Sequence, residues 1–290
     1  MDKKKKQSRS AARLKEVWRR YKKSKLAMLG LVIFIVILFV AVFAEFIIPY
    51  EAAVTTNASN RLQPPSAEHI FGTDGRGRDM FARIIHAAPN SLMIGFSVSI
   101  ISLLVGGFLG ISCGYFGGMY DNITMRILDM ISALPGNLLA IVMVAVLGPN
   151  TINLIIALGV GRIAGAARMS RSVALNISTQ EYIEAARCGG SSDLRNILTH
   201  AVPNASGTLI VNTTMTISQV ILLASSLSFI GLGVQPPNPE WGAMLNDARQ
   251  YFNGSPYLMV IPGLAILITS ISINMMGDGL RDALDPKLKS

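Results

Sequence analysis

Residues 26–48 read LAMLGLVIFIVILFVAVFAEFII, a run in which the single charge, Glu45, comes near the end. At about 1.5 Å rise per helical residue, roughly 20 apolar residues cross a hydrocarbon core of about 30 Å. The run is long enough to span a bilayer. Five further apolar blocks follow at Leu92–Ser112, Ile127–Leu147, Thr151–Ala166, Gly207–Leu227 and Leu258–Met276, each bounded by Gly, Pro, Asn or charged residues. The chain is therefore expected to be an all-α integral membrane protein with about six transmembrane helices. Composition agrees, because 15% of its 290 residues are charged, against about 25% in soluble domains.

The net charge of +9 is concentrated at the N-terminus, where residues 1–25 carry Lys3 to Lys6, Arg9, Arg13, Lys15, Arg19, Arg20, Lys22, Lys23 and Lys25. A basic arm directly before a spanning helix holds that end in the cytoplasm and is attracted to anionic lipid. We read it so, and not as a nucleic-acid tail. Its apolar block exceeds the h-region of a secretory signal, about 7–15 residues, so it is expected to be retained. With six spans and the N-terminus inside, 21 Lys and Arg fall on the cytoplasmic side and 5 on the outer side. Both termini are expected inside. Cys113 and Cys188 have no metal-ligand or disulfide pattern, and His69, His86 and His200 form no cluster, so no metal or catalytic centre is expected.

Outside the spans the most informative stretch is 178–204, STQEYIEAARCGGSSDLRNILTHAVPN. Ser178 and Glu181 have capping-box spacing, Gly189-Gly190 favours a break, and Ser191 or Ser192 followed by Asp193 starts another helix. Pro203 is expected to end or kink the chain before the fifth span. The pattern describes two short cytoplasmic helices meeting at a glycine bend. Small Ala185 and Ala186 permit close approach by another surface, and Tyr182 and Ile183 offer it an apolar contact.

Glu184-Ala185-Ala186, then Gly190, and His200 with Pro203-Asn204, resemble the E-A-A-x-x-x-G loop of ABC importer permeases, in the form of the dipeptide/oligopeptide/nickel group. Three further motifs are similar to the C-type subunit of that family: Phe71-Gly72-Thr73-Asp74 with Gly77-Arg78-Asp79, Arg83 and Ser91-Leu92; Ser228 to Gly233 with Pro236-Pro237 and Glu240-Trp241-Gly242; and Gly277 to Pro286. Departures fall at Ala87, Pro89, His200, Val202 and Arg162.

The resemblance implies a type I ABC importer transmembrane domain in the bacterial cytoplasmic membrane, multi-pass and not itself an enzyme. Its ATPase-coupling residues would be Glu181, Glu184, Ala185, Ala186, Gly190, His200, Pro203 and Asn204. It implies the partners too: a second, B-type permease, two ATPase subunits that bind ATP and Mg, and an extracellular or periplasmic solute-binding protein. Membrane lipid surrounds it, and no cofactor is expected in this chain. Expected regions are a basic arm 1–25, a first helix with outer loop 26–90, a transmembrane domain 91–282 containing the loop 169–206, and a tail 283–290. The solute is expected to be a di- or oligopeptide, with nickel or another metal chelate as the alternative within the family. An ion-driven carrier would place charged relay residues at mid-membrane, and the expected spans are nearly empty of them.

Of single residues, Arg78 and Asp79 are expected to hold the outer loop by ion pairing, Asp129 to sit at an inner helix end, Gly106, Gly107 and Gly110 to serve helix packing, and Trp241 to anchor at the membrane interface.

Overall fold

The computed structural model describes residues 15–284; the basic positions before Lys15, and Asp285-Pro286 of the last motif with the rest of the tail, lie outside the described residues. After a helical turn over 15–21, α1 (Lys25–Val42) forms the first crossing, started by Ser24, whose hydroxyl accepts from Ala27 N–H at 3.3 Å. α2 (Met80–Phe116) is the second. Next come α3 (Gly118–Ser132) and α4 (Gly136–Leu147), bent 76° from each other, then α5 (Thr151–Ser178). The short α6 (Glu181–Cys188) leads to α7 (Asp193–Phe229), α8 (Trp241–Ala248) and α9 (Tyr257–Leu284). Six crossings result when the bent pair α3–α4 counts as one, as the apolar blocks predicted.

Several boundaries differ from expectation, each for a physical reason. The second span begins well before Leu92: residues 80–91 are the first turns of α2, capped by Asp79 Oδ1 accepting from Ala82 N–H at 2.9 Å. The third span is broken at residues 133–135, since Pro135 has no N–H to continue α3. The fourth span runs on to Ser178: hydropathy marks the part in lipid, whereas α5 continues through Arg168, Arg171 and Asn176 into water. Arg162, one of the 21 Lys and Arg counted on the cytoplasmic side, lies well inside the helix. Nor does Pro203 end anything. Residues Ile197–Ala201 form a π-helical turn in which Val202 N–H reaches back five residues to the Ile197 carbonyl. That widened turn holds the carbonyl of Thr199, which a proline ring four residues later would strike in a regular helix.

The bundle is held by apolar packing without disulfides among the described residues. α5 lies along the second half of α2 at close range, because a Cβ at Gly106 would stand 2.6 Å from the Ile163 carbonyl and one at Gly110 would strike the carbonyl of Ala167. This is the small-residue contact the glycines predicted. At the inner end Tyr21, Ala27 and Ala283 join the N-terminal turn to α1 and α9.

Candidate functional site

The 71–79 segment is folded as a plug over the outer ends of the helices. Phe71 meets Phe81 edge-on at 5.4 Å. Thr73, fully buried, donates to the Asn60 carbonyl and accepts from Gln63 N–H at 2.9 Å. Gly72 and Gly77 take positive φ, and a Cβ on either would collide with the backbone of Gln63 or Asn57. Asp74 and Arg78 form the centre: Arg78 Nε donates to Asp74 Oδ2 at 2.6 Å and Nη2 to Asp247 Oδ2 at 2.9 Å, while Arg83 stands 3.5 and 3.6 Å from the same two carboxylates. Arg78 retains 2% of its surface. Two arginines and two aspartates thus neutralise one another out of water, and tie the plug to α8.

Asp79 caps α2 with one oxygen and binds His69 Nδ1 at 2.7 Å with the other. The expected ion pairing of the loop is present for Arg78, through Asp247, 169 residues away, which no local spacing announces.

α8 is seated by a buried carboxylate. Glu240, 1% exposed, accepts from Gly242 and Ala243 N–H at 2.9 Å each and from Ser91 Oγ at 3.1 Å, so it cages the start of α8 against α2. Trp241, expected at the membrane interface, is instead 2% exposed. Its indole N–H donates to the Ile84 carbonyl at 3.2 Å, which satisfies the polar end of the ring inside the bundle.

At the inner end α6 lies across the ends of α2, α5 and α7. Ile183 is fully buried among Ile111, Tyr115, Ala174, Ile197 and Ala205, so it is a knob into the chain's own bundle and not a contact offered outward. Its opposite face presents Glu181, Glu184 and Ala185 to solvent, with Ala186 half-buried. The capping box does not form: α5 runs to Ser178, whose hydroxyl donates to the Leu175 carbonyl, and Gln180 precedes α6 without a side-chain cap. Gly190, with φ of +78°, closes α6 in a Schellman arrangement: Ser191 N–H bonds the Ala186 carbonyl at 3.0 Å and Gly190 N–H that of Arg187 at 2.9 Å. Instead of two short helices, one short helix meets the first turn of α7.

Two side-chain clusters fix this junction. Tyr115, which sequence spacing did not single out, donates to Asp193 Oδ1 at 2.8 Å and accepts from Arg187 Nε at 3.1 Å and Asn196 Nδ2 at 3.2 Å. The Arg187 guanidinium also lies 4.6 Å from the centre of its ring. The Tyr115 hydroxyl, aided by Asp193 and Glu184, holds the Arg187 guanidinium above its ordinary value. On the other side Asn204 donates to the Tyr182 hydroxyl at 3.2 Å and His200 lies 5.9 Å from the Tyr182 ring. Of the expected coupling residues, His200 and Asn204 are thus brought against α6 through Tyr182, while Glu181, Glu184 and Ala185 lie on its solvent face. Further along the inner side Asp129 pairs with Arg168 at 2.9 Å, both exposed.

Comparison with known proteins agrees with this architecture. The family model described as binding-protein-dependent transport system inner membrane component matches residues 106–290, and that of the N-terminal TM domain of oligopeptide transport permease C matches residues 13–65. The chain is 43% identical over 276 residues to the dipeptide transport system permease protein DppC of Alkalihalophilus pseudofirmus, covering 95% of this chain and 90% of that protein. It is 44% identical over 274 residues to the glutathione transport system permease protein GsiD of Escherichia coli O157:H7, covering 94% and 90%. A solved structure of the MetNI methionine ABC transporter, inward facing, shares the fold with TM-score 0.57 at 18% identity, over 71% of this chain and 98% of that one. The chain thus belongs to the binding-protein-dependent transport system inner membrane components, as a C-type permease subunit of the dipeptide/oligopeptide kind of ABC importer, a multi-pass protein of the bacterial inner membrane.

Proposed function

We propose that this chain is one of two permease halves of an importer for short peptides, and that α6 is the part gripped by partner ATPase subunits. The observation that carries the proposal is the division of α6 into two faces. Ile183 is locked into the chain's own bundle, while Glu181, Glu184 and Ala185 stand exposed beyond the membrane. A helix so built transmits a push from a cytoplasmic partner to α2, α5 and α7 together. No G-x-x-x-x-G-K-[ST] phosphate loop occurs in the sequence, so ATP and Mg are assigned to the partners. A second, B-type permease completes the pathway, and a solute-binding protein docks on the outer face. In this scheme nucleotide-driven closure of the ATPases rocks the two permeases between inward and outward access. Peptides are the assigned solute because the named relatives handle a dipeptide and glutathione.

Glu184→Ala and Gly190→Asp are the test, since neither side chain supports the bundle interior. Expected is loss of peptide uptake and of ATPase copurification, with normal amounts of the protein in the membrane. Unchanged uptake and copurification would remove α6 from this role. Uptake that persists when the partner's ATP site is disabled would point to an ion-driven carrier.

A further inference from the structure

Arg162 lies eleven residues into α5 and Gln219 ten residues before the end of α7. At about 1.5 Å per residue, both stand roughly 15–17 Å from the outer helix ends, near the middle of a core of about 30 Å. Arg162 Nη1 donates to Gln219 Oε1 at 2.9 Å. The two later arginines of α5 each have a carboxylate, Arg168 with Asp129 and Arg171 with Asp121, whereas among the described residues Arg162 has none within ion-pair distance. A cation at mid-membrane with only a neutral partner belongs where water or an anion reaches it.

α7 supplies the rest of such a place. Asn204, Thr208, Asn212, Thr216, Gln219 and Ser226 recur at helical spacing along one face from its inner to its outer part, and none of them is buried. Lipid does not solvate the amide and hydroxyl groups of that face; exposed Leu222 lies among them, and exposed Ile210 lies on the opposite side of the helix. The polar face is continuous with the Tyr182–Asn204 cluster at the inner end.

We propose that this face of α7 walls the translocation pathway and that Arg162, oriented by Gln219, forms a mid-depth site for the carboxylate of the passing solute. Guanidinium is suited to that ligand, since its planar fork pairs both carboxylate oxygens. The assignment rests on the peptide reading above, because a short peptide carries such a group at its C-terminus.

The test uses the complete transporter in proteoliposomes, carrying Thr216→Cys, one turn from Gln219 on the same face, on a Cys113→Ser, Cys188→Ser background. It compares an anionic sulfonate methanethiosulfonate with its cationic trimethylammonium counterpart, and repeats the comparison with Arg162→Gln and Arg162→Lys added. Expected is faster reaction with the anionic reagent, a preference that falls about tenfold or more with Arg162→Gln and returns with Arg162→Lys. A saturating free-carboxylate peptide, with binding protein and ATP present, should slow the labelling when Arg162 is in place. No labelling by either reagent would place this face against lipid or protein, and labelling without charge preference would remove the anion site. Charge preference combined with neither uptake of nor protection by peptide overturns the peptide reading and leaves an anion site for another solute.

Discussion

Replacing Asp247 by Asn leaves Arg78 and Arg83 facing the single carboxylate of Asp74. Removing one member of a fully buried ion pair costs about 3–5 kcal/mol, because the charge left behind lacks compensation. Two features lower the figure here. Asp247 keeps 30% of its side-chain surface in solvent, so water screens part of the loss, and the Asn oxygen still accepts from Arg78. The expected cost is about 2 kcal/mol. Trp241, six residues before Asp247 on α8, is a built-in reporter, and Trp18→Phe makes it the sole tryptophan. Thermal unfolding of the detergent-solubilised protein, followed by its emission, should shift down by roughly 4–8 °C. Adding Arg83→Met to Asp247→Asn returns the cluster to one cation and one anion. The double variant should therefore lose less than the sum of the two single losses by at least about 1 kcal/mol. Additive losses, or an Asp247→Asn protein with an unshifted midpoint, would refute the neutral four-residue box as the clasp between plug and α8.

Other perturbations probe separate contacts. Tyr115→Phe removes a hydroxyl with three partners and should cost about 1–3 kcal/mol, seen as faster proteolytic cutting within 179–192. Ile183→Ala should cost about 2–5 kcal/mol and loosen α6 from the bundle, lowering uptake even with Glu184 intact. Gly110→Leu drives a side chain into the Ala167 backbone; it should abolish accumulation of folded protein, whereas Gly165→Ala, with open space at its Cβ, should be tolerated. Glu240→Gln keeps the shape of the cap but removes its charge at a helix start, and should cost about 1 kcal/mol by the same Trp241 readout.

Much of this architecture is legible in the sequence, for reasons that also explain what is not. Apolar blocks located all six crossings, because each has to be continuous over the lipid core. They did not locate helix ends: α5 leaves the membrane at no recognisable stop and continues as Arg168, Arg171 and Asn176, which cost nothing in water. Ser178 and Glu181 have the spacing of a cap, yet local spacing yields when the preceding helix continues through the cap position. Trp241 reads as an interface residue only while its partner, the Ile84 carbonyl, is unknown. Asp247 and Tyr115 acquire their roles from residues far away in the chain, and single-sequence pattern carries no signal for them. Glu184, Gly190, His200 and Asn204 could be picked out together because they lie within one short segment of sequence. Arg162 was visible as a departure, but its isolation from carboxylates emerged only with the neighbours of α5.

The π-helical turn at Ile197–Ala201 holds one residue more than a regular turn. Upstream of it Asp193 and Asn196 are bolted to Tyr115; downstream runs the whole polar face of α7. That surplus residue is therefore a phase setting between the two. Deleting it would rotate everything beyond by about 100° relative to the cytoplasmic anchor, swinging Asn212, Thr216 and Gln219 away from Arg162. Point substitutions in this turn should be absorbed far more readily than any change in its length, so insertions and deletions here are the mutations to which the transporter is least indifferent.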